Sequence, residues 1–195
     1  MISKKLSKKS SSPLFAVVTV IVFGSLLAIT LFMQFRNIRT VTDHVIHADI
    51  MQLQQVFSQI HKECYIIDFE HKRNYVDFLN VISFVGSEVG SMNLAFAKNW
   101  KGAYLKNNPT IQQKLYVVLK NKQGFFIVPD DGVVLDNGKV IGTDIKLGWE
   151  SDMKSLMSNN NALLSNVGVL AAPIQVGSKP ISAMLTQKNA LMVID

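Results

Sequence analysis

One segment constrains this chain more than any other: residues 14–33 read LFAVVTVIVFGSLLAITLFM and carry no charged side chain. As an α-helix the segment would extend about 30 Å, the thickness of a bilayer's hydrocarbon core. Four lysines precede it, and Arg36 and Arg39 follow it. Because basic residues stay on the cytoplasmic side, the sequence predicts a single-pass helix of the inner (plasma) membrane, with residues 1–13 cytoplasmic and the C-terminal domain extracytoplasmic.

A cleaved signal peptide is the competing interpretation of the same segment. Its apolar region is about 7–15 residues long and ends at a small-x-small cleavage site. Here the apolar run is longer and continues through Phe32 and Phe35 without a convincing A-x-A. The length therefore favours an uncleaved signal-anchor, and it makes the lipid bilayer an expected partner.

The basic charge is concentrated before this segment. Residues 1–13 contribute +4 of the net +6, through Lys4, Lys5, Lys8 and Lys9, which leaves +2 for residues 14–195. A nucleic-acid-binding domain is expected to carry a basic face on its folded part, so the sequence predicts no nucleic-acid partner. The single cysteine excludes an internal disulfide.

Beyond the apolar run, the sequence predicts that the helix continues as an amphipathic segment within 34–74, as far as about Asp68. Apolar residues recur there in alternating steps of four and three, which is typical of a helix with one buried stripe. These residues are Ile46, Ile50, Leu53, Phe57, Ile60, Cys64 and Ile67. The stripe predicts either contact with a helix of a partner protein or packing against the chain's own C-terminal domain.

Residues 75–195 are predicted to form a small extracytoplasmic α+β domain with an antiparallel sheet. One or two helices are expected within 75–106, an antiparallel meander over 115–142 and a short helix over 149–157. Further strands or a short helix are expected near 167–176, 181–185 and 190–194. The meander follows from short β-branched and aromatic runs separated by turn residues such as Asn137-Gly138.

The sequence gives little sign of catalytic or metal chemistry. His61, Cys64 and His71 lack the two tight ligand pairs of a zinc site. The aspartates near the hairpin turns lack the alternation of a calcium loop and are expected to cap the local backbone; they are Asp130, Asp131, Asp136 and Asp144. His44 and His47, three residues apart just beyond the apolar run, are expected to be interfacial polar residues. No nucleophile or nucleotide motif occurs, so neither an enzyme, a cofactor nor a metal is predicted.

The segment Asn99-Trp100-Lys101-Gly102-Ala103-Tyr104-Leu105 resembles the W-x-G-P-Y-L segment of type II secretion pseudopilins and type IV pilin-like proteins, with Ala103 in place of Pro. The layout is similar too, because a long N-terminal helix precedes a small antiparallel head. The resemblance implies a subunit of a pilus or secretion apparatus.

Two functions follow as expectations. The first is a membrane-anchored structural or interaction component of an envelope assembly, which contacts other membrane or envelope proteins or itself. Its partner-contacting residues would be Ile46, Ile50, Leu53, Phe57, Ile60, Trp100 and Tyr104. The second is a PAS- or Cache-like ligand-sensing module that works through a separate partner, because such domains also follow a long helix.

Overall fold

The computed structural model describes residues 13–177, without the side chains of residues 13–16 and 34–40 in its first helix. The chain divides into two units, Met1–Arg39 and Thr40–Asp195. Most of the basic N-terminal segment and the strands expected near 181–185 and 190–194 lie outside the described residues. Within them the structure is α+β with antiparallel sheets.

The first helix, α1, spans Pro13–Cys64. It ends before the predicted limit near Asp68 because Tyr65 adopts a left-handed conformation (φ 54°), which stops a helix, and a strand follows at once. The other helical elements of the described chain are the 3-10 helix η1 (Ala97–Asn99) and the helix α2 (Met153–Met157). The carboxylate of Asp152 caps α2 by accepting from the Ser155 N–H (3.2 Å).

Among the residues that the structure describes, no helix has the combination of length and hydropathy that crossing a membrane requires. The predicted transmembrane helix over 14–33 is therefore corrected. The correction extends to the signal-anchor, to the inner-membrane location and to the division into a cytoplasmic N-terminus and an extracytoplasmic, periplasmic domain.

In the described part of the chain, ten short strands follow α1, and all the sheets they form are antiparallel. Their bounds are β1 Ile66–Phe69, β2 Arg73–Tyr75, β3 Glu88–Val89, β4 Met92–Leu94, β5 Thr110–Ile111, β6 Lys114–Asn121, β7 Gly124–Pro129, β8 Leu164–Ser165, β9 Gly168–Val169 and β10 Ala172–Ile174. One sheet has the order β1-β4-β3, the largest has the order β10-β7-β6-β2 with β5 also on β6, and β8 pairs with β9.

The β6–β7 hairpin is the centre of the largest sheet. Its register runs from Tyr116 opposite Pro129 to Asn121 opposite Gly124. Residues 116–119 of β6 are buried in succession, as expected for a strand covered on both faces. The half of α1 that belongs to the second unit packs on this sheet, because the hydroxyl of Tyr116 donates to Asp49 Oδ2 (2.8 Å) and the amide of Gln54 donates to the Pro173 carbonyl (3.1 Å).

Two parts of the second unit differ from the expected elements. The helices expected within 75–106 are replaced by β3, β4 and η1, because Gly86 and Gly90 adopt positive φ and β4 pairs with β1 instead. The meander expected over 115–142 forms as β6 and β7, after which residues 133–145 make only isolated bridges, Val134 to Val140 and Ile141 to Ile145.

Candidate functional site

The α1 seam (Ile46, Ile50, Leu53, Phe57, Ile60 and Cys64) lies inside the core of the second unit. All six side chains are buried. Phe57 packs edge-on against Phe69 and Phe78, with ring centroids 6.1 and 6.3 Å apart. The five residues of this seam that were expected to contact a partner are thus covered by side chains of their own chain, the second of the two arrangements that the sequence left open.

Trp100 and Tyr104 are half-buried, and Tyr104 is hydrogen-bonded to the last turn of α1. The Tyr104 hydroxyl donates to Glu63 Oε2 (2.7 Å), and Lys101 Nζ lies 3.2 Å from Glu63 Oε1. The hydrogen bond from Tyr104, ahead of the Lys101 charge, lowers the pKa of Glu63. The Trp100 indole donates to the Val81 carbonyl (3.1 Å). The polar groups of this patch therefore make intramolecular contacts.

Two other residues next to this patch expose apolar side chains. Val85 is 99% exposed and Ile82 is 75% exposed, whereas Phe84 between them turns inward and meets the Trp100 ring edge-on at 5.3 Å. The loop 80–86 is therefore held at Phe84 and presents two isolated apolar side chains.

A larger apolar surface belongs to residues 17–33, called the apolar segment below. Its large apolar side chains are 47–72% exposed; they are Val17, Val18, Val20, Ile21, Val22, Phe23, Leu26, Leu27, Ile29, Leu31, Phe32 and Met33. The hydroxyls of Ser25 and Thr30 donate to carbonyls of the same helix, Val22 O (2.9 Å) and Leu26 O (2.8 Å). The segment thus presents apolar surface with its hydroxyl donors already satisfied.

A cleft of about 400 Å³ lies in the second unit. Residues of α1, of the turn after residue 135 and of the segment 160–167 form its walls. The lining is mostly polar and consists of Asp43, His44, Asp136, Asn137, Asn160, Leu164, Ser165, Asn166 and Val167. Its carboxylates, amides, imidazole and hydroxyl are groups that recognise a small polar or cationic molecule.

Asp43 and Asp136 lie at this cleft, and the backbone N–H of each donates to the carboxylate of the other. The Asp43 N–H donates to Asp136 Oδ2 (3.3 Å), and the Asp136 N–H donates to Asp43 Oδ1 (3.1 Å). Burial raises the pKa of both carboxyl groups, and the neighbouring Asp136 charge raises that of Asp43 further. Asp136, expected to cap its own turn, instead joins that turn to α1.

The two histidines after the apolar segment have different surroundings. His44 is exposed at the cleft, whereas the Nδ1 atom of His47 lies 2.9 Å from the Val169 carbonyl and so carries the proton that it donates. Gly168 approaches the His47 ring so closely that a Cβ there would lie 2.5 Å from its Cε1 atom. This glycine lets β9 pack against α1.

The other aspartates near the turns are not brought together with Asp136. Asp130 and Asp131 accept from the Arg73 guanidinium at 3.1 and 2.7 Å. Asp144 accepts from the Val140 N–H (2.9 Å), the local capping that the sequence predicts. Within the described part of the chain, no three metal-ligating side chains form a group that would hold an ion.

The cysteine and the two histidines considered as metal ligands lie in three different environments. Cys64 is buried in the seam, and this burial raises the pKa of its thiol. The Nδ1 atom of His61 is buried without a hydrogen-bond partner, and desolvation lowers the pKa of its ring. His71 lies at the surface, with its Nε2 atom 3.6 Å from Glu70 Oε2. A neutral thiol is a poor nucleophile, so this arrangement offers no activated cysteine.

The sequence reasoning did not single out Asp43, although its position carries a signal. Asp43 precedes Ile46 by three residues and so continues the alternating spacing of the seam toward the N-terminus. A carboxylate at a buried-stripe position requires a hydrogen-bonding partner, and Asp136 supplies it.

In comparisons with protein-family models, with curated proteins and with solved structures, no match to this chain was found.

Proposed function

We propose that this protein is a structural subunit of a protein assembly, in which the apolar segment packs against the same segment of other copies. The observation that carries the proposal is the row of exposed apolar side chains over 17–33. Contiguous apolar surface of this extent is rare on monomeric proteins and marks an interaction site. The free energy of covering it, about 25 cal/mol per Å², drives association.

The distribution of these side chains supports several neighbours rather than one. Successive helical residues point about 100° apart, and residues 20–23 are all exposed and apolar. The apolar surface therefore surrounds the helix, and a single docking groove would leave part of it in water. A bundle of copies covers every side, which favours self-association into a larger assembly.

The second unit would then supply the surface of the assembly. Its own apolar stripe, the α1 seam, is already covered within the chain, so it does not compete for partners. This division of roles agrees with the layout that the NWKGAYL segment suggests by its resemblance to pilin-like proteins, in which an N-terminal helix precedes a small head.

Paired substitutions test the proposal in the full chain. Val22→Glu with Leu26→Glu places two charges on one face of the apolar segment, since residues four apart are neighbours on a helix. The matched control is Ile82→Glu with Val85→Glu, at exposed apolar positions of the second unit. Chemical cross-linking should trap multimers of the unmodified chain and of the control. The yield of cross-linked multimers from the Val22/Leu26 variant should be at least about tenfold lower, because burying the two glutamates would require their charges to be desolvated.

Two results would contradict the proposal. One is an unmodified chain from which cross-linking recovers only monomers. The other is an equal loss of multimers in the control, which would place the contact in the second unit. Flotation of monomers with lipid vesicles would also exclude self-association as the way in which the apolar segment is covered.

The cleft favours a second candidate function, the binding of a small polar ligand. Its volume of about 400 Å³ and its carboxylate and amide lining suit a molecule with an amine or several hydroxyls. A panel of amino acids, polyamines and sugars should then raise the thermal midpoint of the full chain for one class only, and Asn166→Ala should remove that increase. An unchanged midpoint across the panel would contradict ligand binding and would leave the assembly proposal unaffected.

A further inference from the structure

The half of α1 that belongs to the second unit carries a second regular stripe, on the side away from the core. Its residues recur in the same alternating steps of four and three as the α1 seam, and they lie about 140° round the helix from it. They are called the outer stripe below and are Val41, Val45, Ala48, Gln52, Gln55 and Gln59. All six side chains are exposed. The spacing is that of a helix that packs along another helix.

The exposed side of α1 lacks charge in this region. Nine residues from Val41 to Gln59 are exposed, and none of them is an acid, a lysine or an arginine. On a soluble surface of ordinary composition, with about 25–35% of such residues, about two or three of the nine would be charged. The two acids of this stretch face inward, because Asp43 is buried and Asp49 accepts from the Tyr116 hydroxyl. The composition of this side is therefore unlike that of a surface that meets only water.

An uncharged stripe is complementary to a copy of itself. In a parallel pair of identical helices each residue faces its own copy, so a charged residue would meet a like charge. A glutamine amide is both a donor and an acceptor, so two facing glutamines can hydrogen-bond to each other. The next position in the spacing is Lys62, which is exposed and charged, and it ends the self-complementary surface. These features favour a second copy of the chain over a charged partner.

The order of residues within the outer stripe favours a parallel arrangement. The end nearest the apolar segment carries Val41 and Val45, and the other end carries Gln55 and Gln59. Parallel copies in register place valine on valine and glutamine on glutamine, whereas antiparallel copies would place the valines on the glutamines. Met51, beside the stripe, is 42% exposed and would add apolar area to the same contact.

We propose that a second copy of this chain packs on the outer stripe, parallel and in register, over about 27 Å of helix. The inference rests on the proposed self-association in taking another copy as the partner, and it adds a contact within the second unit. Polar residues at such positions fix the register of a helix pair at a cost in stability. The apolar segment would thus supply most of the association, and the outer stripe would determine how the copies align.

Disulfide trapping in the full chain tests the contact. Ala48→Cys places a thiol on the outer stripe, and Ser58→Cys is the matched control, exposed on the same helix about 100° round from Gln59. A disulfide forms only when two Cβ atoms come within about 4 Å, so under mild oxidation Ala48→Cys should give at least about tenfold more linked dimer than Ser58→Cys. The native Cys64 is buried, and the unmodified chain gives the background.

Opposite charges at one position test the register. In the Ala48→Cys chain, Gln52→Glu and Gln52→Lys should each lower the yield of linked dimer, because like charges would face each other. Mixing the two variants should raise the yield at least about threefold over either alone, since Glu then faces Lys. The same pair of substitutions at Ser58, off the stripe, should give no such increase on mixing.

The possible results separate this contact from that of the apolar segment. Equal yields of linked dimer from Ala48→Cys and Ser58→Cys, with multimers that still depend on Val22 and Leu26, would overturn the outer-stripe contact and leave the proposed function in place. A high yield from Ala48→Cys alone, with multimers that do not depend on Val22 and Leu26, would support the outer stripe and contradict the proposed function. A yield that does not rise on mixing the Gln52 variants would overturn the parallel, in-register pairing.

Discussion

Two stretches of α1 differ in how their apolar side chains are distributed around the helix and in what surrounds them. Between Ile46 and Cys64 the side chains of the α1 seam lie on one stripe and are buried in the core of their own chain. Over 17–33 the apolar side chains occupy every side of the helix and are exposed. The two stretches thus differ in periodicity: a single apolar stripe is covered by one sheet, whereas an apolar surface on all sides is what the proposed self-association would cover.

The largest effect is expected from shortening a seam side chain. Phe57→Ala removes the ring that packs on Phe69 and Phe78, and it should lower the free energy of unfolding of the second unit by about 3–5 kcal/mol. Phe23→Ala, in the apolar segment, should change that free energy by less than about 0.5 kcal/mol because Phe23 is exposed. Denaturant unfolding followed by Trp fluorescence measures both values. Equal losses would remove the distinction between the two stretches.

An intermediate effect is expected where the seam half of α1 meets β9. Gly168→Ala adds a methyl group against the His47 ring at a positive φ of 137°, and it should cost about 1–3 kcal/mol of unfolding free energy. Gly148→Ala is the matched control, since nothing lies within 4 Å of the position of its added Cβ. Thermal unfolding of the two variants should separate them clearly. A Gly168→Ala variant as stable as the control would show that β9 does not require this close approach.

The smallest effect is expected at the C-terminal end of α1. Tyr104→Phe removes the hydroxyl that donates to Glu63 and should cost about 1–2 kcal/mol near neutral pH. The pKa of Glu63 is lowered in the folded state, first by this hydrogen bond, so the stability that it contributes is present above the ordinary glutamate pKa and is lost as the pH falls through the folded pKa.

Unfolding measured at several pH values checks this loss. The stability difference between Tyr104→Phe and the unmodified chain should shrink as Glu63 becomes protonated. A difference that stays constant from neutral to acidic pH would mean that the Tyr104 hydroxyl acts without involving the Glu63 charge.

The sequence predicts those elements that are marked by the spacing or type of neighbouring residues. The seam spacing indicates which side of α1 is buried, and the turn residues after Asn121 indicate the β6–β7 hairpin. The β5–β6 hairpin was missed because its two-residue turn, Gln112-Gln113, adopts positive φ at both positions without the usual Asn or Gly. Side-chain bonds from Gln112 to the backbone of Val134 compensate for this conformation.

Other features depend on contacts between distant residues. The short strands within 75–106 form because β4 pairs with β1, with Ile66 opposite Leu94. No local spacing of residues predicts that pairing. The hydrogen bonds between Asp43 and Asp136 likewise join residues that are 93 positions apart. The transmembrane interpretation of 14–33 followed from hydropathy and charge bias alone, and no helix of the described chain meets the requirement for a span.

The contact between apolar segments is tested most directly by cross-linking at a chosen position. Leu26→Cys places a reactive thiol in the apolar segment, and Val85→Cys places one on an exposed loop of the second unit. The native Cys64 is buried and should not react. A bismaleimide added to the full chain should join Leu26→Cys copies to each other and leave Val85→Cys copies largely monomeric. Monomers from both variants, or equal yields of dimer, would contradict assembly through the apolar segment.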